Sequence, residues 1–367
     1  MLIEINDLID YIEYKLLGIF PDSSAMKESQ FQKSYLKLFK GKYTFIGFLF
    51  PLALVYVFYF LRGKGSDDFL HPFLFLSYPI SNTFPLQYGK GYKDICFIFF
   101  HIIIFTFLRD SLMNILIKPI AERINVKKNK LKRFMEQGYN LFYFILSSVF
   151  GIYIMFKTRL WYFNVDAFYD GYPHKTHTVY FKAYYLLQFS YWFQQAAVLI
   201  LKLEKPRKDY KRFVVHHFIT LILIGLSYRF HFTYLGLAVF ITMDISDVFL
   251  ALAKLMNYIQ CKGQGLVFGF FIFLWIYGRH YLNTVFLYSI LTSFKTVGPY
   301  ELSWEKGYYK CWISQIIIFV LLLALQVVNM CWLVLILRIA YYFIINGKAK
   351  DDRSDDDDEE FLKKKDE

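Results

Sequence analysis

An all-α integral membrane fold with about eight transmembrane helices is predicted by three features of the sequence. Of its 367 residues 56% are hydrophobic and 22% aromatic, against 20% charged, a balance that a water-soluble core of this length does not use. Eight stretches are apolar over the roughly 20 residues that a helix needs to cross the hydrocarbon, where backbone polar groups can be satisfied only within the segment. The net charge of +12 comes from Lys and Arg gathered between these stretches, which reads as membrane-surface charge and excludes a nucleic-acid-binding stripe.

The chain opens with MLIEINDLIDYIEYKLL, acidic and apolar at helical spacing, so residues 1–42 read as a cytosolic segment starting with an interfacial amphipathic helix and not as a cleaved signal. The spans are placed near Tyr43–Leu61, Ile95–Ile117, Leu141–Phe156, Phe181–Leu203, Phe213–Phe230, Tyr234–Met256, Leu266–Ile290 and Ile313–Ile345. The last is long enough to tilt strongly or to project from the membrane. Residues 43–129 then hold the first two spans and a basic loop, and 347–367 form an acidic tail. Four cysteines, Cys96, Cys261, Cys311 and Cys331, show no paired metal spacing and no disulfide framework.

Orientation follows from the cations, which short cytosolic loops retain. Lys33, Lys37, Lys40 and Lys42, then Lys118 to Arg133, then Lys205, Arg207, Lys208, Lys211 and Arg212 fall on one side, the cytosol. The loop around Asp166 and Asp170 and the very short connector at His231 fall on the other. Both termini come out cytosolic. The tail DDRSDDDDEEFLKKKDE ends in Lys364 and Lys365 two residues before the end, like a dilysine retrieval signal of the endoplasmic reticulum; a solvated charged tail is the plainer reading. Ser354 sits before a run of acids, as acidophilic kinases prefer.

Polar side chains inside a span cost free energy and are functional candidates by default. The fifth span opens KDYKRFVVHHFIT, putting His216 and His217 near its cytosolic end, and the sixth carries ITMDISDVFLALAK, putting Asp244 and Asp247 on one face that continues through Ala251 to Lys254. The short connector makes these spans antiparallel neighbours, so His216 or His217 is expected to meet Asp247. An imidazole held by a carboxylate has a fixed tautomer and a more basic free nitrogen, suited to a general base or a nucleophile in acyl transfer from a thioester to an amine. Helix-packing residues, a metal site and an ion or proton path are the competing readings. The metal reading lacks the repeated histidine boxes of membrane di-iron enzymes, and no metal is assigned.

The block KPRKDYKRFVVHHFITLILIGLSYRFHFTYLGLAVFITMDISDVFLALAKLMNYI resembles the signature region of the longevity-assurance-type ceramide synthases, and the flanking LEKPRKDY and YKCWIS resemble the fungal, yeast-type members. The resemblance implies a TLC domain over 130–346, a bundle of six to seven helices enclosing a substrate tunnel. It implies a sphingosine N-acyltransferase of the endoplasmic reticulum membrane that joins an acyl group from acyl-CoA to a long-chain base, with no cofactor. His216, His217, Asp244 and Asp247 match the family's essential residues, with His216 the candidate for transient acylation and Asp247 its orienting carboxylate. A small single-span accessory subunit, and a dimer with itself or a paralogue, are implied as partners besides membrane lipids. Met243 stands where many animal members have histidine, and an acid common in the family is replaced near Ala251. A TLC-type scaffold or translocon-associated chaperone without enzymatic activity is the alternative.

For such an enzyme the cationic loops, Lys205 to Arg212 with Arg207, Lys208, Lys211 and Arg212, and Lys118 to Arg133, are candidates to bind CoA phosphates, although the positive-inside rule alone accounts for them, and Lys254 is a substrate-binding candidate in the polar groove. Gln194, Gln195, Arg279 and His280 either line the tunnel or bond a neighbouring helix, and Tyr191 and Trp192 shape it or pack.

Overall fold

A computed structural model describes residues 44–62, 68–204 and 209–346. The amphipathic N-terminal segment, Arg207, Lys208, Ser354 and the dilysine end lie outside the described residues. Eight long helices run through the rest: α1 Thr44–Leu61, α2 Lys93–Arg123, α3 Lys128–Phe156, α4 Val179–Ile200, α5 Tyr210–Arg229, α6 Thr233–Tyr258, α7 Gln264–Leu291 and α8 Trp312–Asn346. Each falls on one of the apolar stretches read from the sequence. Five of them, α2, α3, α6, α7 and α8, are long and apolar enough to cross a membrane. The protein is a multi-pass membrane protein.

Helices α4 and α5 are long enough but carry Lys182, Gln188, Gln194, Gln195 and Lys211, Arg212, His216, His217 respectively. Their polar load is what a span can hold only where it faces other helices or a cavity, and α4 accordingly buries Lys182, Gln188 and Gln194. Consecutive helices alternate in direction. The end of the bundle where α3 and α5 begin and α4 and α6 finish is the mouth end. At the other, floor end a three-stranded sheet joins Pro79–Ile80, Gln87–Tyr88 and His177–Thr178, and Leu302–Ser303 pairs with Tyr308–Tyr309.

Several boundaries differ from the hydropathy reading, among them the end of α2, which runs on to Arg123. Helix α3 starts at Lys128 and not near Leu141. Its first turns are basic yet amphipathic, and they bury Phe134, Met135 and Tyr139, so packing extends the helix beyond the apolar core. Helix α4 stops at Ile200, where the chain turns through Lys202 at φ 50°. Among the described residues Cys96, Cys261, Cys311 and Cys331 form no disulfide with one another.

Two helices contain a wide π-turn, α2 at Leu112–Ile117 and α7 at Ile276–Leu282. The second lies against α6, where Gly278 permits the approach: a Cβ there would stand 3.1 Å from the Thr242 carbonyl oxygen. The α5–α6 connector is a tight reversal through His231, with φ 67°, so the two helices lie antiparallel side by side.

Candidate active site

A cavity of about 190 Å³ opens among α3 to α8, and His216, His217, Asp247, Lys254, Trp192 and Arg279 are among its walls. His216 is 6% exposed, with the edges of Trp192 and Trp332 against it at ring-centre distances of 5.8 and 5.2 Å. Its Nδ1 has no hydrogen-bond partner among the described residues. His217 donates Nδ1–H to the Phe213 carbonyl at 2.8 Å. A carbonyl only accepts, so this bond puts the proton on Nδ1 and leaves the lone pair of the neutral ring on Nε2. The adjacent histidines thus differ in role, one fixed by its own helix and one held only by aromatic edges.

Neither imidazole bonds to a carboxylate. The expected meeting of His216 or His217 with Asp247 is replaced by an ion pair: Asp247 accepts from Arg279 at 2.6 Å. Arg279 is 3% exposed and comes from the π-turn of α7. It also donates to Ser246 Oγ (2.7 Å), the Met243 carbonyl (3.2 Å) and Asn329 Oδ1 (3.3 Å), and its guanidinium stacks on Trp275 at 4.1 Å. The planar fork is consumed on several sides, which fixes it and Asp247 together at the cavity wall. The physical reason the sequence missed this pairing is that the nearest cation sits on another helix, aimed by a turn that leaves no compositional mark.

Asp244 lies one turn nearer the floor and is fully buried, off the cavity wall. Its Oδ2 accepts from Ser147 Oγ at 2.5 Å and Gln188 Nε2 at 2.6 Å. Gln188 in turn accepts from Tyr143 at 2.8 Å. Asp244 therefore ties α3, α4 and α6, and Tyr143 stacks flat on Tyr191, which lines the cavity.

Of the other candidates, Tyr191, Trp192, Gln195 and Lys254 are on the wall. Gln194 is buried beside it and accepts from Gln195 at 3.1 Å. His280 points to α8, accepting from Gln326 at 2.7 Å. Lys211 is exposed at the start of α5, and neither it nor Arg212 reaches the cavity. Arg133, the last cation of the basic loop singled out in the sequence, also lines it, whereas sequence reasoning missed Gln137, Asn140, Glu204, Trp275 and Trp332. The first two were hidden by the misplaced start of α3; the two tryptophans look like any other aromatic in a span. Glu204 is paired with Arg109 of α2. Among the described residues no three His, Cys, Asp or Glu side chains come together as a metal site requires.

A second cavity of about 70 Å³ continues toward the floor and shares Trp192, His216 and Arg279 with the first. It is walled by aliphatic side chains such as Ile224, Leu235, Val239 and Leu322 and reaches Phe232 at the α5–α6 turn. His216 therefore stands at the boundary between a polar chamber open to the mouth and a greasy one below.

The model of the TLC domain matches residues 133–338, the stretch that supplies all six helices around the two cavities. The chain belongs to the TLC domain family. Among TLC domain proteins it is 49% identical to the sphingosine N-acyltransferase lac1 of Schizosaccharomyces pombe over 299 residues, 81% of this chain and 77% of that one. It is also 49% identical to the ceramide synthase LAG1 of Saccharomyces cerevisiae over 304 residues, 82% and 74% of the two chains. Ceramide synthase 4 of Mus musculus is 30% identical over 60% of this chain and 53% of its own length. This TLC domain protein is thus a membrane acyltransferase of the sphingosine N-acyltransferase group.

Proposed function

We propose that the protein transfers a fatty acyl group from acyl-CoA to the amine of a sphingoid long-chain base, with His216 as the group that handles the reacting atoms. The observation that carries this reading is the position of His216 at the junction of the two cavities. An acyl-CoA with its alkyl tail in the lower chamber and its polar arm in the upper one has its thioester beside that imidazole. The mouth end is then the cytosolic end, where CoA is available, and the membrane is that of the endoplasmic reticulum.

The chemistry forms a C–N bond and breaks a C–S bond. The attacking amine must lose a proton, and the departing thiolate takes one up as free CoA. The unpartnered imidazole of His216 supports two routes: it accepts the amine proton, or it takes the acyl group itself and the amine then attacks the acyl-imidazole. His217, with its proton fixed on Nδ1, supplies a lone pair for the proton transfers. Arg279 and Asp247 set the adjoining wall, and the thioester supplies its own leaving group, so no cofactor enters. The long-chain base arrives laterally from the bilayer. A single-span accessory subunit, and a dimer with itself or a paralogue, belong to the same reading.

The test is N-acylation in microsomes made with the parent chain, His216→Ala or Asp247→Ala, each first checked for expression and insertion. Amide formed from acyl-CoA and long-chain base by the parent and lost in His216→Ala supports the reading. Parental rates in His216→Ala contradict it.

A further inference from the structure

Gln137 is 3% exposed, yet its side chain makes no hydrogen bond among the described residues and its amide is not sealed in protein. It lines the upper cavity, so the exposure left to that amide is to the cavity interior. Asn140, one turn further along α3, lines the same chamber and also lacks a hydrogen-bond partner among the described residues. Across from them on α4, Gln195 donates its Nε2 to Gln194 and keeps its carbonyl oxygen uncommitted. A buried carboxamide left without a partner costs free energy, and buried Gln137, gathered around one chamber with the half-buried Asn140 and the free carbonyl oxygen of half-buried Gln195, calls for a ligand with amide chemistry.

Their heights fit one ligand. The Ser147–Asp244–Gln188 contact registers α3, α6 and α4 against each other. At about 1.5 Å per residue, Trp192 lies roughly 6 Å from that contact toward the mouth, Asn140 and Gln195 roughly 10 Å, and Gln137 roughly 15 Å. Trp192 touches His216. The carboxamides therefore stand about 4 Å and about 9 Å beyond the level of the imidazole. In an extended acyl thioester of CoA the two secondary amides of the pantetheine arm come roughly 4 Å and roughly 9 Å from the sulfur. Arg133 and Lys254 line the same chamber, on the side where the diphosphate of such a ligand would emerge. The hydroxyls of a long-chain base all lie within a few bonds of its amine and do not extend to Gln137.

We infer that Gln137, Asn140 and Gln195 form a subsite for the pantetheine amides of acyl-CoA, pairing N–H to C=O along the arm and holding the thioester at His216. The inference rests on the proposed acyl transfer and assigns to it a binding determinant outside the histidine and aspartate motif.

The experiment uses the full chain in microsomes with Gln137→Met and Asn140→Leu, reading KM separately for acyl-CoA and long-chain base, together with competition by free pantetheine, which keeps both amides and lacks the phosphates. Each variant is expected to raise KM for acyl-CoA about 5- to 10-fold, the worth of a lost hydrogen bond, and to leave KM for the base unchanged. Pantetheine should compete with acyl-CoA in the parent and more weakly in both variants. Absence of competition in the parent, an unchanged KM for acyl-CoA, or a shift in KM for the base instead overturns the subsite. A parent chain that makes no amide at all fails the proposed function, a different result from any of these.

Discussion

Lys182 and Asp94, near the floor of the bundle, are buried like His216 and Gln137 near the mouth, but their surroundings treat them differently. The Lys182 ammonium meets Asp94 Oδ1 at 2.7 Å, donates to the carbonyls of Ser77 and Gly89 at 2.9 and 2.7 Å, and lies over the rings of Tyr78 and Tyr88. Asp94 Oδ2 accepts from Tyr228 at 2.8 Å and from the Gly91 amide at 3.0 Å. Nearby, Lys310 donates to the Val297 carbonyl over three aromatic rings, and burial pulls its pKa down to about 8. Around the upper cavity, by contrast, His216 Nδ1, Gln137 and Asn140 have no protein partner among the described residues. The lesson is that burial alone does not mark function here. Polar groups satisfied within the protein bind helices and loops together, and those left unsatisfied toward a cavity await a ligand.

The contrast breaks most visibly at the floor. Removing one partner of a buried ion pair leaves the other uncompensated, at a cost of about 3–5 kcal/mol. Lys182→Ala is therefore expected to lower the melting temperature sharply and to cut the yield of folded protein, while the fraction that folds keeps its KM values. A melt like the parent's would show that the floor network is not structural.

At the cavity wall the order reverses. Arg279→Lys keeps the charge but not the fork that reaches Asp247, Ser246, Asn329 and the Met243 carbonyl. Because misplacement near the reacting groups is costly, kcat should fall on the order of 10- to 100-fold, beyond a loss of stability of about 1–3 kcal/mol from the bonds the fork no longer makes. A parental kcat would remove Arg279 from the account.

Ser147→Ala sharpens the boundary between the two regimes, since Asp244 is packed like a floor residue but sits beside the site. Losing one of its two donors should cost about 1–3 kcal/mol of stability and leave KM values alone. A selective fall in kcat would move Asp244 to the functional side.

The smallest effect concerns His231, which burial and then the Lys90 charge push down to about 3. Between the ordinary histidine range near pH 6.5 and pH 3 the unfolded chain binds a proton that the folded chain refuses. Stability from this residue is whole above about pH 6.5 and is lost as pH falls toward 3. His231→Gln should flatten the pH dependence of the melt in that window, and identical profiles would exclude the effect.

Much of this architecture was legible along the chain, because span length and the spacing of polar residues on one helix are properties of local sequence. The eight apolar stretches, the antiparallel α5–α6 pair and the presence of His216, His217, Asp247 and Lys254 at one place all come from such local rules. What crosses between helices was not legible. Asp247 belongs to Arg279 because of a π-turn, Asp244 belongs to Ser147 and Gln188 because of how α3 and α4 pack, and Trp332 reaches His216 from a predominantly apolar helix. The carboxamides of α3 were missed for a different reason: a basic amphipathic helix start reads as a loop when hydropathy alone sets the boundary.

The most direct measurement is CoA release on adding long-chain base and acyl-CoA to membranes holding equal amounts of folded parent or His216→Ala protein, with the melt recorded for both. The account predicts release matched by N-acyl product in the parent, a loss of about 100-fold or more in the variant, and superimposable melts. Turnover by His216→Ala within a few-fold of the parent would show that the imidazole between the two chambers is not where the acyl group changes hands.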